Sequence, residues 1–526
     1  MLINGTAEGD RLEGTVGDDT INGFGGDDAL FSGAGNDELN GGDGNDSINV
    51  LDIGTKSIDG GNGIDFVYLF SDTSEDLIFN YSKNGSVTSR GFLSGTTVSN
   101  VETVSVISGS GNDVINIAAT NNNNEDIKSG EGNDRIIGGS GNDDLFGEAG
   151  DDSITGGEGN DDLYGDVGND TLQGESGDDY INFGAGANIV DGGDGTDRVD
   201  LDFSNESEDF AFNYSKNGSL TSRSFLEGTT ISNVERVSIA SGSGDDVINI
   251  AATNNNNDDI KSGEGDDRII GGSGSDDLFG EAGDDSITGG EGDDDLYGGE
   301  GNNTLQGESG DDYINFGAGA NIVDGSDGID RIDLDFANES ESLIFNYVEN
   351  GGTTRGGLLD GTNISNVERV SIASGSGDDI INITASNNSN DDIKGGAGND
   401  TIIGGSGNDD IFGEAGDDLL TGRGGSNNLY GGEGDDVAVF SGSRDDNEVI
   451  YQEDSIIVIN SGDRNLLFDI ETIRFDDGDL NAINNEFTTR SQNQDNSITV
   501  NDDGITGTSS NDGDAFNFIV EPTLDF

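Results

Sequence analysis

A single aliphatic residue recurs along this chain at every ninth position, set between polar or aromatic neighbours. From Gly138 to Asn182 the text reads GGSGNDDLF, GEAGDDSIT, GGEGNDDLY, GDVGNDTLQ and GESGDDYIN. The aliphatic residue is always eighth: Leu145, Ile154, Leu163, Leu172 and Ile181. A period of nine is neither the 3.6 of a helix nor the alternation of a long strand. A fixed short period marks an array in which each unit packs on its neighbours. Leu145, between Asp144 and Phe146, suits a very short strand with one side chain pointing inward. One block is too small to bury anything alone. Two blocks make one turn of a coil with a sheet on each side. The pattern therefore predicts an all-β solenoid with the aliphatic residues stacked in two interior rows.

The polar positions are as regular. Glycine stands first and fourth, an acid or amide fifth, aspartate sixth. Gly138 and Gly139 permit backbone angles closed to other residues, and Asn142 suits a turn. Asn142, Asp151 and Asn160, in fifth place, read as turn formers rather than as ligands by side chain. Stacked turns would place Asp143, Asp152, Asp161, Asp170 and Asp179 in two rows along the edges. Parallel strands lie about 4.8 Å apart, and carboxylates at that spacing repel by several kcal/mol when partly desolvated. A cation between the loops would relieve this. Carboxylate plus carbonyl is an all-oxygen set for a hard ion, and pliant glycine loops suit calcium better than octahedral magnesium.

In chain order, blocks begin at once: a worn copy from Gly5, then GTVGDDTIN (14–22), GFGGDDALF, SGAGNDELN and GGDGNDSIN (41–49). GGNGID at 60–65 is a further loop. A longer period overlies the short one. NYSKNGS at 80–86 recurs at 213–219 and as NYVENGG at 346–352, a step of 133 residues. The chain thus reads as four copies of about 133 residues, starting near Gly5, Gly138, Gly271 and Gly404, the last one shortened. The expected organisation is repeat blocks at 1–65, 108–197, 241–330 and 374–436. Strand-rich spacers would occupy 66–107, 198–240 and 331–373, continuing or covering the end of a roll. A C-terminal cap is expected at 437–480 and a polar tail at 481–526. Each spacer, and the cap, carries a Val/Ile-Glu pair: Val101-Glu102, Val234-Glu235, Val367-Glu368 and Ile470-Glu471. These glutamates read as structural, making a hydrogen bond at a corner.

Composition narrows the chemistry. The 526 residues include 90 glycines, one proline, and no cysteine, histidine or tryptophan. Lys+Arg is 21 against Asp+Glu 108, a formal charge of −87, with 30 % hydrophobic residues. Such values would ordinarily predict disorder, but the charge is periodic and placed where metal could neutralise it. Nucleic acid and anionic membranes are poor partners for so acidic a chain. Without histidine or cysteine there is no usual zinc site, Ser-His-Asp triad, Cys-His pair or HExxH helix. The opening MLINGTAEGDRLEG predicts no Sec-type signal peptide, and no apolar run predicts a transmembrane helix. Tyr164, Tyr180, Tyr297 and Tyr313 suggest either a carbohydrate-stacking face or plain lateral packing.

The nonapeptides resemble the calcium-binding GGxGxDxUx motif of the RTX (repeats-in-toxin) family, the motif attributed to calcium-binding β-helix repeats. DVAVFSG at 436–442 and FDIETIRFDDG at 468–478 are similar to the cap that closes many such arrays. The resemblance implies a right-handed parallel β-roll with several calcium ions between successive loops. It implies that the sixth-position aspartate and loop carbonyls are the ligands. That carries onto Asp19, Asp28, Asp37 and Asp46 in the first copy. It carries onto Asp113, Asp134, Asp143, Asp152, Asp161, Asp170, Asp179 and Asp197 next, then onto Asp246, Asp267, Asp276, Asp285, Asp294, Asp312 and Asp330. Asp379, Asp400, Asp409, Asp418 and Asp436 complete the set. Asn303 and Asn427 replace the aspartate, Asn188 and Asn321 lie in worn loops, and Arg423 enters a loop of the last copy; those sites are expected to be weak or empty. The resemblance also implies export by type I secretion machinery through the C-terminal tail. The expected function is a secreted, extracellular, non-catalytic calcium-binding protein whose folding calcium drives. Other readings are a cell-surface structural or adhesion protein with an unknown partner, and, less favoured, a polysaccharide-acting or hydrolytic enzyme.

Overall fold

A computed structural model describes residues 1–482 apart from 52–53, 82–90, 92–93, 118–122, 216–218, 221–225, 252–256, 348–351, 354–356 and 385–389. Beyond 482 it describes 486–489, 497–501, 504–506 and 517–518. The expected secretion signal at 481–526 thus lies largely outside the described residues, as do residues 121–122 of the asparagine run at 121–124. The chain forms two compact units, Met1–Asp277 and Leu278–Phe526.

In the first unit, three-residue strands such as Asp126–Lys128, Asp144–Phe146, Asp162–Tyr164 and Tyr180–Asn182 pair in parallel, each with the strand 18 residues on. A second parallel sheet runs through Arg135–Ser140, Ser153–Glu158, Thr171–Ser176 and Ile189–Asp194. Between the sheets Leu145, Ile154, Leu163, Leu172 and Ile181 are wholly buried, which places the predicted interior rows. Each buried aliphatic side chain contributes roughly 1.5–3 kcal/mol, and no single turn holds enough of them to stand alone. The second unit repeats the pattern, with Asp392–Ala397, Asp410–Ala415 and Asn428–Glu433 on one side and Thr401–Ile403, Leu419–Thr421 and Val437–Val439 on the other. The architecture is an all-β parallel roll in each unit.

The strand-rich segments continue the roll rather than covering its end. Phe66–Phe70 pairs in parallel with Ser47–Val50 before it and with Thr103–Ile107 after it. Thr97–Ser99 joins the sheet of Lys56–Asn62, while Ile78–Asn80 opens the next sheet beside Val114–Asn116. Arg198–Asp202 with Arg236–Ala240, and Arg331–Asp335 with Arg369–Ala373, repeat this. After Asn428–Glu433 the pairing changes: Asp463–Phe468 adds in parallel, then Ile456–Asn460 and Glu448–Tyr451 add antiparallel. On the other sheet Thr472–Phe475 pairs antiparallel with Gly478–Asn481.

Candidate metal centre

Every aspartate expected to bind metal is buried, none more than 3 % exposed. Within each copy they form ladders along the two edges. The N–H of Asp143 donates to Oδ1 of Asp161 at 2.8 Å, that of Asp161 to Asp179 at 2.8 Å, and that of Asp179 to Asp197 at 2.9 Å. On the other edge Asp134 donates to Asp152 and Asp152 to Asp170. One carboxylate oxygen is thus committed to the turn before.

The other oxygen has nothing. Oδ2 of Asp143, Asp152, Asp161, Asp170 and Asp179 is buried and accepts no hydrogen bond, and the same holds at Asp28, Asp46, Asp113, Asp312, Asp400 and Asp436. Except at Asp113, whose block opens on Ser108, each such oxygen lies over the first glycine of its own block. A Cβ on Gly147 would come within 2.5 Å of Asp152 Oδ2, and one on Gly165 within 2.7 Å of Asp170 Oδ2. At these two blocks the cradle exists because that residue is glycine. A buried polar atom without a partner is costly and rare; here it recurs turn after turn. Burial pushes the carboxyls of Asp134, Asp161 and Asp179 up to about 7, against the lowering effect of the N–H from the preceding turn; neighbouring carboxylates add to the rise. Asp152 and Asp170 rise to about 6 by the same burial.

Two predicted sites differ. The N-terminal ammonium beside Asp19, 2.6 Å from Oδ1, holds that carboxyl down to about 2. At Asp37 the oxygen that is partnerless in other turns is 2.7 Å from the Lys56 ammonium. That ammonium also meets the carbonyls of Gly33 and Gly35, at 3.1 and 2.6 Å. A cation is therefore seen at the convergence of carboxylate and the second and fourth carbonyls of a block. This donor set, all oxygen and carboxylate-bearing, fits calcium. Among the described residues no group of three or more acidic side chains is placed to hold a metal ion by itself.

The fifth-position residues make an outer ladder: the N–H of Asn160 donates to Asn142 Oδ1 at 2.9 Å, and that of Asp178 to Asn160 Oδ1 at 3.0 Å. The corner glutamates cap the aspartate ladders. Glu102, Glu235, Glu368 and Glu471 each accept the N–H of the last aspartate, Asp65, Asp197, Asp330 and Asp436, at 2.8–3.0 Å. Asp65 was not among the predicted ligands, yet its Oδ2 is equally bare and its carboxyl, raised by burial, sits at about 6. The glycine loop GGNGID at 60–65, which matches GGDGTD at 192–197, was the available signal. Glu125, Asp258 and Asp391 also hold ladder positions, their N–H groups donating to Asp143, Asp276 and Asp409. No glycine loop precedes them, so the motif did not mark them.

The tyrosines pack along the roll. Tyr164 stacks on Phe146 with centroids 4.5 Å apart and planes 5° from parallel; Tyr297 repeats this on Phe279. Tyr180 and Tyr313 lie next in these rows, tilted by 53° and 52° to Tyr164 and Tyr297.

A family profile described as RTX calcium-binding nonapeptide repeat (4 copies) matches residues 4–50, 120–205, 253–323 and 386–445 through overlapping segments, just over half of the chain. No curated protein matches significantly. Among solved structures, the crystal structure of extracellular lipase LipA from Serratia marcescens aligns at 22 % identity over 36 % of this chain and 38 % of that one, with a TM-score of 0.15. The chain spans well under half the length of that lipase. With the glycine-cradled aspartate ladders and the profile in agreement, the chain belongs to the RTX calcium-binding nonapeptide repeat family.

Proposed function

We propose that this is a secreted, non-catalytic protein whose roll folds on binding several calcium ions outside the cell. The observation that carries this reading is the repeated bare Oδ2 over a glycine. Each cation would neutralise two adjacent rungs of a ladder that otherwise pays for burial without compensation. At cytosolic calcium levels the charge of −87 would keep the chain expanded. At extracellular levels, binding to the folded state alone stabilises it by RT ln(1+[Ca]/Kd) per site. The antiparallel strands after Asn428–Glu433 would serve as a terminal cap, since an open sheet edge invites pairing with other chains. The tail at 481–526 would carry the type I secretion signal. No helix among the described residues is long and apolar enough to cross a membrane.

Calcium titrated into the purified chain, followed by far-UV circular dichroism, tests the reading. β signal should grow over the range of about 0.1–1 mM at which extracellular modules bind. A spectrum unchanged up to about ten times that range would sink it. Growth with magnesium alone would reassign the metal.

A further inference from the structure

We propose that the polypeptide supplies its own cation or amide donors at the rung just before each strand-rich segment, so that these edge sites close without calcium. Lys56 is the clearest case. It stands opposite Asp37 in the parallel pairing, in the place an aspartate holds elsewhere. Its N–H donates to Thr96 Oγ1 at 3.0 Å, where an array aspartate would donate to the next carboxylate. Its side chain is fully buried and turns back into the preceding site. There its ammonium meets Gly33 O, Gly35 O and Asp37 Oδ2, three acceptors for three protons. A metal ion and an ammonium cannot share that spot.

The corresponding rung of the second copy uses a neutral version. Asn188 donates its N–H to Thr229 Oγ1 at 3.0 Å and its Nδ2 to Gly184 O at 2.9 Å. Thr229 Oγ1 in turn donates to Gly186 O at 2.8 Å. These are again the second and fourth carbonyls of a block, now held by an amide and a hydroxyl. In the second unit Asn321 and Thr362 repeat the arrangement on Gly317 and Gly319. Asn427, before the last strands, donates to Asn465 Oδ1. These asparagines are thus occupied positions rather than defective ligands. The junctions would be organised before calcium arrives, and calcium would complete the arrays between them.

The proposal rests on the reading that the aspartate edges bind calcium. Bound calcium counted per chain by equilibrium dialysis on the full-length protein separates the two. Asp37→Asn should bind as many ions as the wild type, whereas Asp161→Asn should bind fewer. Lys56→Met should gain one ion, because Gly33 O, Gly35 O and Asp37 become available. Should Lys56→Met fail to fold, Asp37→Asn still decides, since it keeps the lysine. Loss of an ion in Asp37→Asn, or no gain in a folded Lys56→Met, overturns the proposal alone when Asp161→Asn behaves as expected. A wild type that binds no calcium overturns both.

Discussion

The phenol oxygen of Tyr347 donates to the carbonyl of Val367 at 2.8 Å and accepts the N–H of the same residue at 3.0 Å. Tyr81 with Val101 and Tyr214 with Val234 make the same pair of bonds. The tyrosine belongs to the recurring Asn-Tyr text and the valine to the recurring Val-Glu text, so one hydroxyl fastens the middle of each strand-rich segment to a point 20 residues on. Tyr347→Phe leaves a buried N–H and carbonyl without partners. A loss of about 1–3 kcal/mol is expected, read as a lower denaturant midpoint in saturating calcium. Unchanged stability would show that water replaces the hydroxyl.

The metal-free chain should fold better in acid than at neutral pH. An Asp carboxyl titrates near 3.9 when unfolded, whereas burial lifts Asp161, Asp179 and Asp409 to about 7 and Asp400 to about 8 in the roll. The folded state therefore binds more protons. Its advantage is fully present below the unfolded value and is lost as pH rises through 6 to 8. Circular dichroism of dialysed, metal-free protein should show β structure growing from pH 8 down to about 5. Calcium should show the opposite trend, since its ligands must be deprotonated.

Gly159 has φ 127°, and a Cβ there would overlap the carbonyl oxygen of Gly141 one turn back. Gly159→Ala should destabilise by more than about 2 kcal/mol, through strain and overpacking together. Glu175, at φ 77°, occupies a left-handed position that glycine fills in other blocks. Glu175→Gly relieves that strain and should be neutral or stabilising by up to about 1 kcal/mol. Thermal unfolding of both variants in calcium checks the contrast.

Glu235 accepts the N–H of Asp197 at 3.0 Å. Glu235→Gln keeps an acceptor there and should leave both stability and the number of bound calcium ions unchanged. Glu235→Ala removes it and should cost about 1–3 kcal/mol. Loss of an ion in the glutamine variant would make Glu235 a ligand instead.

The nine-residue period determined most of this protein by itself. It identified the short strands, the inward rows of Leu145 and Ile154, the edge rows of Asp143 and Asp152, and the glycine loops, because each is a local choice repeated at fixed spacing. The role of Glu102 and its equivalents as corner acceptors was also legible from their recurrence. Three things were decided only in three dimensions. The strand-rich segments proved to be turns of the roll, since which strands pair depends on a register 37 residues apart, as between Phe66 and Thr103. Asp65, outside the run of well-formed blocks, joined the ladder because stacking carried it there. The partner of each carboxylate oxygen also lay beyond the motif. Asp37 and Asp161 are alike in the sequence, but the chain folds a lysine onto one and leaves the other bare, and only the stacking of successive turns brings Lys56 to that point.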